Sequence, residues 1–397
     1  MTSITNHLPI FWPCTSNLSA PEIALPTAHF NTVLWSGDNT TPRTITGAGF
    51  QPDLVWTKDR TNVRNHIWWD VIRTFAGNKG IASNTNAIEG DSASSTYGYV
   101  SAAAADGFTV TGGSDGSYPY RYVNQTSTNY ASWNWKAGGT PTATNSATSG
   151  AMTANSVALD GSLQSSYTPS GTPSIYPTKM SINTTNGFSI VSYTSPNSSS
   201  DETIPHGLSQ RPDMVIIKNL DSTYNWDVWT PALQSGYDLR LNTTDDETSG
   251  RWSTTIPTAS LVTLLDTYEV AGTDDYIAYC FHSVEGYSKV GSYEGNGDAD
   301  GAFVYTGFRP AFLLLKSIDD SAHWEMEDDK RDTYNLSHKS LQANLNYAED
   351  TSTSRNGLDF VSNGFKFRSN SSNIMNGSET YIYLAFAESP FKYSNAR

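Results

Sequence analysis

Residues 49–58 read GFQPDLVWTK, a turn that runs into a hydrophobic strand pattern and ends on a lysine. Residues 208–218 read LSQRPDMVIIK and residues 307–316 read GFRPAFLLLK, so this block occurs three times. The copies lie about a domain length apart, far more than the ~20 to 50 residues of a solenoid repeat. Each copy is therefore long enough to form a hydrophobic core of its own.

Two further blocks frame each copy. Each copy opens on a strand pattern with aromatic residues, at residues 30–37, 188–194 and 287–293. Each copy closes on an alternating strand led by tyrosine, at residues 130–135, 276–281 and 381–386. Alternation of this kind, bounded by Gly, Asn and Asp turns, is typical of antiparallel strands. We predict an all-β fold of three tandem antiparallel β-sandwich domains, jelly-roll or lectin-like, behind an extended N-terminal arm.

The boundaries follow from where the copies begin and end. We predict an extended docking arm at 1–28, repeat 1 at 29–137, a linker at 138–180, repeat 2 at 181–286 and repeat 3 at 287–397. The arm is rich in proline, and it either docks on a neighbouring subunit or packs along repeat 1. The linker is rich in Ser, Thr and Gly and has a hairpin pattern near residues 156–162. Repeats 2 and 3 join almost directly, so we expect them in a fixed relation.

Composition and charge limit the classes of partner. The chain has 397 residues and a net charge of −15, which argues against binding to nucleic acid. No apolar run approaches the ~18 residues of a membrane helix, and the first residues show no secretory signal. The two cysteines lie in different segments and predict no disulfide framework. We therefore expect neither nucleic acid nor membrane insertion.

Motifs for catalysis and cofactors are missing from the sequence. The seven histidines form no HExxH or comparable pattern, and no Cys/His cluster has zinc spacing. The acidic pair Asp328 and Asp329 is better interpreted as loop charge than as a glycosidase pair, because glycosidase carboxyls lie across a sugar. We predict no enzyme activity and no cofactor. Asn296, Asp298 and Asp300 have the spacing of a partial calcium loop, but a polar hairpin turn explains them as well.

The tryptophans after the repeated block are candidates for a binding face. Trp68, Trp69, Trp226, Trp229 and Trp324 lie at related positions in the three copies. Recurrence in register favours core positions. Adjacent strand residues face opposite sides, so Trp68 or Trp69 is the exception that we predict to contact a glycan or a partner protein.

The repeated sequence blocks resemble a repeat family in virion proteins of tailed bacteriophages, particularly of marine and cyanobacterial hosts. The resemblance covers about residues 28–397 and rests on the Gly-Phe-x-Pro block, on NGFSIVSY at 186–193, on VEGYSK at 284–289 and on YIYLAFAESPFKYSNAR at 381–397. The C-terminal motif is its most specific part, and repeat 1 departs most from it. Such proteins are usually tail-fibre or virion structural proteins without an established active site.

This resemblance implies a non-enzymatic structural protein of a phage virion. We expect a homo-oligomer on a tail fibre or similar appendage, joined to other virion proteins through the arm and able to contact a host-surface glycan or protein. The alternatives are a capsid decoration protein or head fibre, a polysaccharide depolymerase, and a cellular carbohydrate-binding module. Phage particles assemble in the host cytoplasm, which fits the missing signal and the few cysteines.

Overall fold

The structure, a computed structural model, describes residues 23–352, 357–370 and 375–390. Regular structure in these ranges is almost entirely β-strand in several antiparallel sheets, which confirms the predicted all-β fold class. The strand-forming aromatic and β-branched residues and the Gly and Asn turns explain this outcome. None of the helices in the described ranges is long and apolar enough to cross a bilayer. Most of the predicted arm, residues 1–22, lies outside the described residues.

Repeat 1 forms a five-stranded sheet in the order β1-β8-β3-β4-β5 and a three-stranded sheet in the order β2-β7-β6. Two short 3-10 helices accompany them, at Pro26–Ala28 and Gly77–Lys79. The elements are β1 (Phe30–Ser36), β2 (Arg43–Thr46), β3 (Leu54–Asp59), β4 (Ile67–Asp70), β5 (Ile81–Ala82), α1 (Ser94–Tyr97), β6 (Tyr99–Ala104), β7 (Gly107–Thr111) and β8 (Asn129–Trp135).

The predicted linker contributes strands to repeat 2. β9 (Val157–Leu159) and β10 (Ser162–Leu163) pair as a hairpin, and β9 also pairs in parallel with the first strand of repeat 2. Repeat 2 consists of β11 (Lys179–Asn183), β12 (Phe188–Thr194), β13 (Glu202–Pro205), β14 (Met214–Asn219), β15 (Trp226–Trp229), β16 (Tyr237–Arg240), β17 (Thr248–Ser249), β18 (Leu261–Leu264) and β19 (Asp275–Phe281). Its large sheet has the order β10-β9-β11-β12-β19-β14-β15-β16-β17, and β13 pairs with β18.

Repeat 3 returns to the plan of repeat 1. Its strands are β20 (Ser288–Glu294), β21 (Phe303–Tyr305), β22 (Phe308–Ser317), β23 (Glu325–Asp328), β24 (Leu341–Gln342), β25 (Leu358–Val361), β26 (Gly364–Phe367) and β27 (Thr380–Pro390). They form sheets in the orders β20-β27-β22-β23-β24 and β21-β26-β25. In all three repeats the closing strand therefore lies between the opening strand and the strand of the repeated block.

A glycine shapes the small sheets of repeats 1 and 3 at the same place. A Cβ on Gly107 would lie 2.0 Å from the carbonyl oxygen of Ile45, and a Cβ on Gly364 would lie 2.0 Å from that of Val304. No other residue leaves room for the neighbouring strand to approach so closely. The recurring Asp-Gly-Phe and Asn-Gly-Phe units thus begin β7 and β26, which each pair with two strands.

The strand of the repeated block is buried on both faces in each of the three large sheets. In β3, Val55 packs in a core between the two sheets of repeat 1, whereas Leu54 and Trp56 face a central core that all three repeats share. The same alternation divides β14 and β22 between the central core and the cores of their own repeats. Strands covered on both faces require continuous apolar runs, which explains the wording of the repeated block.

Three equivalent hydrogen bonds close the repeats into a ring. In each case a glutamate backbone N–H donates to the carbonyl two residues beyond the lysine of the next repeated block. The pairs are Glu89 to Leu220 at 2.8 Å, Glu247 to Ile318 at 3.0 Å and Glu349 to Arg60 at 2.9 Å. They join repeat 1 to 2, repeat 2 to 3 and repeat 3 to 1. The chain therefore has an approximate threefold arrangement about the central core.

Side chains reinforce these seams unequally. The indole N–H of Trp226 donates to the carbonyl of Ala82 at 3.1 Å, and that of Trp324 donates to the carbonyl of Arg240 at 2.8 Å. His66 holds the third equivalent position, and in the described structure neither of its ring nitrogens has a hydrogen-bond partner. Burial lowers the pKa of His66 well below its usual value, so the imidazole is neutral.

Buried ion pairs lie beside two of the seams. Asp70 accepts from Arg73 at 2.7 Å within repeat 1, and the hydroxyl of Tyr279 from repeat 2 donates to the same carboxylate at 2.7 Å. Asp328 and Arg331 form the equivalent pair in repeat 3 at 2.5 Å. Because both charges of each pair are buried and hydrogen-bonded, removing one partner is costly.

The two ends of the ring differ. At one end, which we call the basal end, the ring of Phe386 packs 4.7 Å from Phe30, 5.8 Å from Trp135 and 6.1 Å from Phe281, measured between ring centroids. The first described residue, Ile23, is buried in the same central core, and the last described strand also ends here. The opposite, distal end carries the loops between block strand and next strand and the loops that precede the closing strands.

Candidate functional site

The lysine that ends each repeated block has a structural place at the distal end. Lys58, Lys218 and Lys316 are fully buried. Each Nζ donates to the next carbonyl of the chain, at 2.5 Å, 2.6 Å and 2.6 Å respectively, and to a carbonyl of the following loop. Burial lowers the pKa of Lys58 to about 7 and those of Lys218 and Lys316 to about 8. These lysines hold the distal loops closed.

The tyrosine that leads each closing strand anchors a second distal loop. Its ring stacks on an aromatic residue of the opening strand, with centroid distances of 5.2 Å for Trp35–Tyr130, 5.1 Å for Tyr193–Tyr276 and 5.2 Å for Tyr293–Tyr381. Its hydroxyl bonds to the loop just before the strand, an arrangement like the tyrosine corner of other β-sandwiches. In repeat 1 the hydroxyl donates to Tyr120 and Arg121 carbonyls at 3.3 Å and 3.0 Å.

The tryptophan prediction needs a correction for one pair. Trp68 is 2 % exposed in the central core, and Trp69 is 0 % exposed in the core of repeat 1. They do face opposite sides of β4, but both sides are covered, so neither ring presents a surface to a glycan or partner. The other recurrent tryptophans, Trp226, Trp229 and Trp324, are also buried, as the core interpretation predicts.

The partial calcium loop folds as a self-capped turn. Asn296 accepts from the backbone of Asp298 at 3.1 Å, and Asp298 accepts from the backbone of Asp300 at 2.9 Å. The carboxylate of Asp300 pairs with Lys366 at 2.9 Å, and the hydrogen bond and charge of Lys366 lower the pKa of Asp300. In the described ranges no group of three or more His, Cys, Asp or Glu side chains could hold a metal ion.

Acidic side chains are also buried inside the cores of single repeats. Burial raises the pKa of Asp227 and Glu269 well above their usual values, and raises that of Asp238 to about 7. In repeat 3, Glu325 and Glu327 line a small cavity of about 10 Å³, which has room for roughly one water molecule. A sugar ring does not fit there. Asp328 and Asp329, interpreted from the sequence as loop charge, are instead buried, and they pair with Arg331 and Arg309.

Aromatic and basic groups do reach the surface together at the distal end of repeat 1. There α1, β6 and the loop at residues 112–128 carry five tyrosines and one arginine, of which Tyr99 and Tyr122 also pack against the core of repeat 1. We call this set the tyrosine–arginine patch, and its members are Tyr97, Tyr99, Tyr118, Tyr120, Arg121 and Tyr122. Tyr118 is 49 % exposed, and the other members are half-buried. The guanidinium carbon of Arg121 lies 3.9 Å from the ring centroid of Tyr118 and 5.0 Å from that of Tyr97.

The loop under the patch is held rigidly. The backbone N–H of Tyr122 donates to the carbonyl of Tyr97 at 3.0 Å, and that of Gly113 donates to the carbonyl of Pro119 at 2.7 Å. Asp115 Oδ1 accepts from the backbone of Ser117 and Tyr118 at 2.9 Å and 2.6 Å. These two backbone hydrogen bonds lower the pKa of Asp115. The patch is therefore ordered before any ligand arrives.

The sequence contained a signal for this patch. Residues 112–122 read GGSDGSYPYRY, a Gly-, Ser- and Tyr-rich composition with one arginine. Antibody loops use the same residue types, because tyrosine supplies a large amphipathic contact area at small entropic cost. The recurrent tryptophans have the same stacking chemistry, but residues that recur in register belong to the core.

Comparison with known proteins gives one family. A family model described as a domain of unknown function, DUF7483, matches residues 25–173 and 163–390. Together the two matches span all three repeats. No curated protein and no solved structure matches the chain.

Proposed function

The chain belongs to the DUF7483 family, and for this member we propose a role as a structural protein of a bacteriophage virion, in a tail fibre or similar surface appendage that adheres to the host. The observation that carries the proposal is the division of the molecule into a basal end and a distal end. The resemblance of the repeated sequence blocks to phage tail-fibre proteins supports the assignment to a virion.

The basal end suits attachment. The chain enters the central core at Ile23, and the last described strand ends on the same side. The basal end is therefore the side on which we propose the attachment. We propose that other virion proteins, in a homo-oligomeric assembly, bind the part of the predicted arm that precedes Ile23, because Ile23 and Pro26 are themselves buried. A chain lacking residues 1–22 should stay folded and fail to enter particles, and normal incorporation would contradict this attachment.

The distal end suits contact. Its loops differ among the repeats in length and sequence, and loops on a rigid scaffold commonly carry recognition. The buried lysines and corner tyrosines fix these loops to the sheets. The tyrosine–arginine patch is the best-developed contact surface there, and it lies on the side away from the attachment.

A second candidate is a capsid decoration protein or head fibre. The approximate threefold ring favours it, since such a ring can make three similar contacts at a threefold position of an icosahedral shell. Labelling of intact particles separates the candidates. Antibodies against the purified chain should bind the tail or its fibres. Label spread over the shell would support the second candidate, and particles without label would refute both.

A further inference from the structure

We propose that the tyrosine–arginine patch binds an anionic polysaccharide, with uronic acid units whose rings stack on tyrosine and whose carboxylates pair with Arg121. This inference rests on the proposed adhesion role and names its ligand class. Tyr118 offers nearly half of its surface to solvent, and the half-buried ring of Tyr97 lies on the same guanidinium, that of Arg121. Exposed aromatic rings are suited to stacking against the C–H face of a sugar.

The arginine supplies the charge selectivity. Within the described structure the Arg121 side chain makes neither an ion pair nor a hydrogen bond, so its contacts are the faces of Tyr97 and Tyr118. Stacking on ring faces leaves the edge of a guanidinium, where its N–H groups lie, open to a carboxylate. Asp115 is close enough for Arg121 to contribute to its lowered pKa, but one of its oxygens is already occupied by two backbone N–H groups.

A second arginine lies beside the patch. The charge of Arg64 acts on Tyr122, where it opposes the rise in pKa that burial causes. Arg64 donates to the carbonyl of Val63 at 2.7 Å, and no carboxylate among the described residues pairs with it. Neither arginine forms an ion pair in the described structure, although the chain has a net charge of −15. Their field attracts an anion to a surface that is otherwise repelled by the protein as a whole.

Repeat 2 shows what a compensated arginine looks like. There Arg251 lies 5.6 Å from the ring centroid of Tyr268, in the loop equivalent to that of the patch. Its charge acts on the buried carboxyls of Asp227 and Asp238 and lowers their pKa values against the effect of burial. The carboxyls on which Arg251 acts are buried inside its own repeat, whereas the carboxyl on which Arg121 acts, that of Asp115, lies near the surface. The acidic-glycan site belongs to repeat 1.

Binding of the full chain to alginate, a polyuronate, and to neutral dextran of similar length tests the inference. Biolayer interferometry at low salt should show binding to alginate that weakens as salt rises, and at least ten-fold weaker binding to dextran. Arg121→Gln should weaken alginate binding about ten-fold or more, because a charge-assisted hydrogen bond is lost. Tyr118→Ala should weaken it several-fold.

Two matched variants control for general effects. Arg211→Gln removes an arginine near the basal end, and Tyr334→Ala removes a tyrosine that is 78 % exposed in repeat 3. Both should bind alginate like the unaltered chain. Equal affinity for alginate and dextran, no binding to either, or unchanged binding by Arg121→Gln would overturn the inference, as would capture of a host envelope protein with no affinity for polyuronate.

Failure of this inference and failure of the proposed function are distinguishable. Particles labelled at the tail combined with no alginate binding would remove the acidic-glycan site and leave the virion role standing. Alginate binding by a chain that is missing from particles would do the reverse. Unfolding temperatures of the variants, compared with the unaltered chain, establish whether each substitution leaves the fold intact.

Discussion

Replacing Tyr279 by phenylalanine removes one hydroxyl from the seam between repeats 2 and 1 and keeps the ring that fills the core. The hydroxyl donates to Asp70 Oδ2 at 2.7 Å, and Arg73 Nε donates to the same oxygen at 2.7 Å. Tyr279 also packs edge-on against Trp68 with centroids 4.9 Å apart, a contact that phenylalanine preserves. The variant therefore isolates one hydrogen bond between two repeats.

The size of the loss follows from the charge on the acceptor. A hydrogen bond to a charged group contributes about 1.5–3 kcal/mol. Asp70 still accepts hydrogen bonds from the Arg73 side chain and from the backbone N–H groups of Ile72 and Arg73, so its carboxylate is not left unpaired. We expect a destabilisation of about 2 kcal/mol. At about 2 cal/mol/K of unfolding entropy per residue, a chain of this length loses roughly 2–3 °C in Tm.

Thermal unfolding by calorimetry, with Tyr287→Phe as the matched control, measures this loss. Tyr287 is also fully buried in the central core, but its hydroxyl has no hydrogen-bond partner among the described residues. Removing an unsatisfied buried hydroxyl is neutral or stabilising. We expect a lower Tm for Tyr279→Phe alone. Equal effects of the two substitutions would refute the assignment of stability to this seam.

Three further substitutions test separate parts of the molecule. Lys316→Met removes an amine whose pKa burial lowers to about 8. Between pH 8 and 10.5 the unfolded chain holds a proton that the folded chain has released, so the folding stability of the original chain should rise by up to about 3 kcal/mol relative to the variant. Parallel pH profiles of the two chains in urea unfolding would contradict this. Tyr130→Phe removes the hydroxyl to which the backbone N–H of Gln125 donates at 2.9 Å, so amide exchange at residues 118–125 should become faster while β8 stays protected. Unchanged exchange at residues 118–125 would contradict the anchoring role of Tyr130. Trp324→Phe deletes the hydrogen bond to the Arg240 carbonyl and should lower the free energy of unfolding by about 2–4 kcal/mol in the same assay. The loss should exceed that of Trp252→Phe, whose indole N–H has no partner in the described structure, and a smaller loss at Trp324 would contradict the role of the seam between repeats 2 and 3.

The repeats and the β-fold could be predicted because both rest on local patterns. Alternation, tyrosine-led strands and Gly turns place most strands near their observed positions. The ring is a matter of tertiary contact, and the signal for it was indirect. Leu54, Val55 and Trp56 are consecutive and apolar, which indicates a strand covered on both faces, but the pattern does not reveal that the second cover is the other two repeats.

The candidate site was harder to predict for a different reason. Tryptophans such as Trp68 have the chemistry of a binding face and the register of a core, and only packing decides between these uses. A lysine such as Lys58, placed at the end of an apolar run, gives no hint that its Nζ turns back to bond backbone carbonyls. The exposed patch depends on a loop conformation that the anchoring hydroxyl of Tyr130 fixes, which spacing in the sequence does not encode.

Amide hydrogen exchange of the full chain tests the shared central core most directly. Peptides from the closing strands β8, β19 and β27 report on the three repeats separately, and each strand has one face in the central core. If the three repeats share one core, all three strands should exchange with the same opening free energy, equal to that of global unfolding. Exchange of one closing strand at a clearly lower free energy, with the other two still protected, would contradict a single ring of three repeats.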